Sequence, residues 1–84
     1  MQLNRQQILE KLKEVLTFVD GSKADLIAKA DENTVLTDDL GLTSVGMLFT
    51  VISIEESFNI VFDDIGMDDL HTVGDVIDYI SEKL

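Results

Sequence analysis

No cysteine occurs among these 84 residues, so nothing covalent can staple the chain. A polypeptide this short must then hold its fold with a thin hydrophobic core. The same absence removes thiolate metal sites and thiol nucleophiles. Proline is absent too, which suits a chain made mostly of helices because proline breaks their interiors. Hydrophobic residues are 45% and charged residues 27%, enough for one core and one domain, expected over residues 1–84. A lone histidine, His71, excludes His-rich metal sites and most His-based relays. Little room is left for a self-sufficient enzyme.

Charge excludes more. Six Lys/Arg stand against seventeen Asp/Glu, a net of −11. Residues 30–82 hold thirteen acids and no Lys or Arg, whereas residues 1–29 hold five bases and four acids. Such a field disfavours nucleic acid and favours partners with basic surfaces. Self-repulsion at this charge favours a monomer and a fold strengthened by salt or divalent cations. The polar start, Met1–Arg5, has no leader pattern. The longest apolar stretch, Val45–Ile54, is ten residues, against the roughly 20 that span a bilayer. No membrane span and a cytoplasmic location are expected.

Helical spacing organises the chain. Asn4 with Gln7 three residues later forms a capping box, and Leu3 with Ile8 has the spacing of a hydrophobic staple. Ile8, Leu9, Leu12, Val15, Leu16 and Val19 repeat on one face, predicting a helix over 5–19 that Asp20-Gly21 ends, Gly21 being able to take the left-handed conformation. Residues 20–43 form a long connection, with a short helical turn within Ser22–Ala30 around Leu26 and Ile27. Val35, Leu36, Leu40 and Leu42 should pin it. A second helix starts at Thr43-Ser44 and runs to Phe58, with Leu48, Val51, Ile52, Ile54 (partly) and Phe58 facing inward. Gly46 in its first turn costs roughly 1 kcal/mol against alanine. A short turn is expected around Asp64–Leu70. The last helix begins at Thr72, with Asp75 as capping partner and Val73, Val76, Ile77 and Ile80 buried. The fold class is all-α: a small four-helix bundle, three longer helices plus one short, with a long first loop.

Most constellations of polar residues lead nowhere. Asp31-Glu32-Asn33 opens like a calcium loop, but Val35 falls on a ligand position and Leu36 on the obligatory glycine. The pairs Asp38-Asp39, Asp63-Asp64 and Asp68-Asp69 read as solvated faces. His71 should face water just before a helix cap. What remains is Ser44, a hydroxyl at a helix N-terminus after a glycine-containing turn, where the dipole and free N–H groups favour a phosphate. Taken alone, a serine there is far more often simply a cap.

Its surroundings change that. Asp39-Leu40-Gly41-Leu42-Xaa-Ser44, then an apolar helix ending Glu55-Glu56-Ser57-Phe58, resembles the acyl carrier protein family. Thr72-Val73-Gly74-Asp75-Val76-Ile77-Asp78-Tyr79-Ile80 is similar to that family's closing helix. The resemblance covers nearly the whole chain. It implies a non-catalytic acyl carrier with 4′-phosphopantetheine, from coenzyme A, joined to Ser44 by a phosphodiester. Acyl groups ride as thioesters on the arm's thiol, for enzymes of fatty-acid, lipid or polyketide-like synthesis. The arm's thiol accounts for the missing cysteine. A phosphopantetheinyl transferase and acyl-loading, acyl-transferring or condensing enzymes with basic or apolar docking faces are the implied partners. Ile54, Phe62, Met67, Leu70 and Val76 fall where the family lines an acyl pocket, though plain core packing would use the same residues.

Departures from the pattern are informative. The usual Asp-Ser-Leu is Thr43-Ser44-Val45, and two commonly acidic positions carry Gly46 and Phe49. Asp63 replaces a common proline and Met67 a smaller residue. The face that meets partners is therefore expected to combine Thr43, Val45, Met47 and Phe49 with the acids Asp38, Asp39, Glu55 and Glu56, and to serve a specialised carrier. Two alternatives are an unmodified acidic helical interaction module that keeps the fold, and an aminoacyl or peptidyl carrier, which is generally less acidic.

Overall fold

The computed structural model describes residues 3–62 and 69–84. Among the described residues four α-helices run in order: α1 Arg5–Val19, α2 Ala24–Ala28, α3 Ser44–Phe58 and α4 Val73–Lys83. The short member is α2, inside the long first connection. The turn expected at 64–70 falls largely outside the described residues.

Both capping boxes form as the sequence predicts. Asn4 accepts from the Gln7 backbone N–H at 2.8 Å, while the Gln7 side chain accepts from Asn4 at 2.9 Å. Thr72 and Asp75 repeat the exchange at the start of α4. The Asp75 carboxylate also accepts from the His71 backbone N–H at 3.0 Å. Donation from the Thr72 backbone first, then from His71, holds this carboxyl below its usual range despite partial burial. At the end of α1, however, Gly21 is not left-handed. Asp20 halts the helix and accepts from Ser22 N–H at 3.1 Å, and Gly21–Lys23 form a 3-10 turn leading into α2. Of the two α2 residues expected to tuck in, only Ile27 is buried, while Leu26 is half exposed.

The long connection is pinned at both edges. Leu36, Leu40 and Leu42 are buried, and Val35 is partly so. Val35 pairs with Thr72 in an isolated antiparallel bridge. Leu36 N–H donates to His71 O at 2.9 Å, Val73 N–H to Thr34 O at 2.9 Å and Gly74 N–H to Glu32 O at 2.8 Å. The backbone of the connection thereby supplies acceptors for the orphan donors of α4's first turn. A Cβ at Gly74 would come within 2.9 Å of Glu32 O, so this approach needs glycine. Arg5 adds a surface tie, pairing with Glu32 and, at 2.6 Å, with Asp78.

The core joins Ile8, Leu12 and Leu16 of α1 to Ile54 and Phe58 of α3 and to Val73, Val76, Ile77 and Ile80 of α4. Tyr79 is also buried, its ring centroid 4.5 Å from that of Phe62. In α3 the inward stripe is Met47, Thr50, Ile54 and Phe58. Leu48 and Ile52, expected inside, are about half exposed. The reason is that α3 is apolar almost all round, so its periodicity does not single out one face. Asn59, in the left-handed conformation at φ 56°, ends the helix.

A free hydroxyl on an apolar helix

Between Leu40 and Leu42, whose side chains anchor in the core, Gly41 adopts φ +69°. A residue with a Cβ would be strained there. Leu42 N–H donates to Leu36 O at 3.1 Å, and Asp39 closes the loop by accepting from Val35 N–H at 2.8 Å. The chain leaves this turn already extended at Thr43 (φ −87°, ψ 174°), whose Oγ1 accepts from Gly46 N–H at 3.2 Å. Threonine thus caps the helix without bringing a charge to its N-terminus. Capping falls to Thr43 alone, so Ser44 is left free as the first residue of α3. Ser44 is exposed, and among the described residues its hydroxyl takes no partner. The unbonded first-turn N–H groups of α3 lie around it.

The structure brings most of the proposed recognition residues to this helix and reassigns some. Val45 is 60% exposed and Phe49 54%. Met47 is only 6% exposed and belongs to the core, a correction forced by its place one turn before Thr50 and two before Ile54 on the inward stripe. In its stead Leu48 and Ile52 extend the outward stripe. Positions 45, 48, 49 and 52 lie on one face of a helix. Asp38 and Glu56 are exposed, whereas the Asp39 carboxylate serves the loop and Glu55 accepts from Phe62 N–H at 2.8 Å. Sequence reasoning missed Leu48 and Ile52. The signal was the uncharged run from Leu40 to Ile54, too long for one buried stripe.

Of the expected pocket residues, Ile54, Leu70 and Val76 lie in the core and Phe62 packs against it; Met67 lies outside the described residues. His71 is exposed. Among the described residues no group of three or more potential ligands could hold a metal. No helix among them is long and apolar enough to cross a membrane.

Fold and site together define a small all-α bundle of the carrier type, presenting one free hydroxyl at the head of an apolar helix. No protein-family model matches the chain. Among curated proteins, the acyl carrier protein of Thermotoga maritima is 31% identical over 81 residues, covering 96% of each chain. That of Kineococcus radiotolerans is 35% identical over 94% of each. The mitochondrial acyl carrier protein of Saccharomyces cerevisiae is 30% identical over 96% of this chain and 66% of its own. The chain belongs to the acyl carrier protein family, whose members are carriers rather than enzymes.

Proposed function

We propose that Ser44 carries 4′-phosphopantetheine through a phosphodiester and that the protein presents acyl thioesters to partner enzymes. The observation that carries this reading is the Ser44 hydroxyl itself: exposed, unpartnered among the described residues, and held by a left-handed glycine turn at a helix N-terminus. The group supplies a thiol, which the chain lacks. The chain's part is to hold the ester oxygen outward and to surround its phosphate with helix N–H groups. Ile54, Phe62, Leu70 and Val76 would give way to an acyl chain between α3 and α4. Val45, Leu48, Phe49 and Ile52 meet a partner's apolar surface, with Asp38 and Glu56 drawing its basic rim. The protein acts as a cytoplasmic monomer in fatty-acid, lipid or polyketide-like synthesis.

The test is the intact mass after incubation with coenzyme A and a broad-specificity phosphopantetheinyl transferase, with Ser44→Ala alongside. One phosphopantetheine increment on the wild type, absent from the variant, is expected. No increment on folded protein, with a known carrier modified in parallel, would favour the unmodified interaction module. That second reading draws on the loss of the acid at Thr43 and on the exposed apolar stripe.

The uncharged first turn of α3 also favours a dedicated pathway over bulk fatty-acid synthesis. Thr43→Asp with Gly46→Asp should raise turnover by general fatty-acid enzymes. Unchanged turnover in a steady-state assay would count against specialisation.

A further inference from the structure

Asp38 and Asp39 are adjacent and both exposed, yet their carboxylates do different things. Asp38 finds no partner among the described residues. Asp39 and Val35 bond each other twice. The Asp39 N–H donates to Val35 O at 2.9 Å, and the Asp39 carboxylate accepts from Val35 N–H at 2.8 Å. Backbone and side chain thus close one uncontinued helical turn from both ends. Val35 in turn pairs with Thr72 in the bridge, between the bonds that join Leu36 to His71 and Thr34 to Val73. Beyond the turn, Leu42 N–H returns to Leu36 O at 3.1 Å, and Ser44 follows shortly after. The loop that presents Ser44 is therefore moored to the head of α4 at residues 34–36, and Asp39 braces it at that mooring.

We propose that Asp39 is a positioning residue for the modification of Ser44, acting as a hydrogen-bond acceptor within the loop and not as a charge offered to partners. The inference rests on the Ser44 reading above. Attack by Ser44 Oγ on the phosphorus nearer pantetheine in coenzyme A breaks the pyrophosphate bond, releasing adenosine bisphosphate and the hydroxyl proton. Such a step asks for an oxygen held in place, since a displacement of about 1 Å can cost roughly a hundredfold in rate. Leu40 and Leu42 anchor the loop in the core, but Gly41 between them is the most permissive point of its backbone. Among the described residues 35–42, the Asp39 carboxylate is the one side chain that hydrogen-bonds across the loop. Its oxygen is committed to the chain's own backbone, which is the geometry of a brace.

The test measures kcat and KM for phosphopantetheine transfer to the full chain, read by intact mass at saturating coenzyme A with a broad-specificity transferase. Asp39→Asn, Asp39→Ala and Asp38→Asn are compared with wild type, and amide hydrogen exchange at Val35 is followed on the same unmodified proteins. Asparagine keeps an acceptor oxygen and loses the charge. Asp39→Asn should therefore match wild type in kcat, KM and Val35 exchange, each within about twofold. Asp39→Ala should lower kcat about tenfold with KM little changed, and speed Val35 exchange about tenfold. Asp38→Asn should raise KM and spare kcat, the opposite split. A KM raised alike by both Asp39 variants would make the residue a recognition charge and overturn the proposal. So would a kcat that ignores what stands at 39, or an Asp39→Ala chain that no longer folds, since Asp39 would then be a general support. Each of these leaves the Ser44 reading standing; no mass increment on any of the proteins removes both.

Discussion

Helices α3 and α4 begin alike and end up with different tasks. Each starts at a threonine cap and carries a glycine in its first turn. In α4 the apolar residues form one face, Val73, Val76, Ile77 and Ile80, all of them buried. In α3 they go round the helix, and Val45, Leu48, Phe49 and Ile52 stay between 44% and 60% exposed. The two glycines differ in the same way. Gly74 lets the backbone of Glu32 approach, whereas Gly46 has room for a side chain. The lesson is that the fold accounts for α4, whereas it does not account for the apolar outer face of α3.

Substitutions can break or sharpen this contrast. The largest effect belongs to Ile77→Ala, which empties a fully buried site. A loss of about 2–5 kcal/mol is expected, a fall in thermal midpoint above roughly 10 °C for a domain of this size. Leu48→Ala should stay within about 0.5 kcal/mol of wild type; an equal loss at both sites would erase the contrast. Next come the glycines. Gly74→Ala should cost about 1–3 kcal/mol through the clash with Glu32 O, whereas Gly46→Ala should be neutral or stabilise by up to about 1 kcal/mol. Denaturant midpoints of the pair decide it.

The smallest effect is one of pH. Asp75 holds its proton less tightly in the folded chain than its ordinary value of about 3.9. Its stabilisation is present above that value and is lost as pH falls through the lower folded one. The stability gap between wild type and Asp75→Asn should therefore be constant above about pH 5 and close on acidification. Relief of repulsion among the other carboxylates affects both proteins alike. A gap that persists below the carboxylate range in urea melts would show that the charge of Asp75 contributes nothing to α4.

Where local chemistry had a single solution, the sequence was legible. The caps at Asn4 and Thr72, the bounds of α1 and the buried face of α4 follow from spacing alone, whereas the cap of α3 was open between Thr43 and Ser44 until the structure gave it to Thr43. Ser44 is different: spacing alone makes it no more than a candidate cap, and only the resemblance of Asp39-Leu40-Gly41-Leu42-Xaa-Ser44 to the acyl carrier protein family singles it out. Legibility failed where hydrophobicity lost its direction. In α3 an uncharged, apolar circumference gave no preferred face, so Met47 was expected outside and Leu48 and Ile52 inside. Gly21 misled because Asp20 stops α1 through a different cap. The bridge from Val35 to Thr72 is a long-range pairing that no local pattern announces.

The claim that the outer face of α3 is kept for contact and not for stability meets its most direct test in Val45→Ser with Phe49→Ser. The thermal midpoint and the rate of phosphopantetheine transfer to Ser44 would be measured on the same preparation. Both side chains are more than half exposed, so the midpoint should stay within about 5 °C of wild type. Loss of apolar contact with the transferase should slow modification about tenfold or more. A midpoint that collapses while the rate per folded molecule holds would contradict the account and return this face of α3 to the fold.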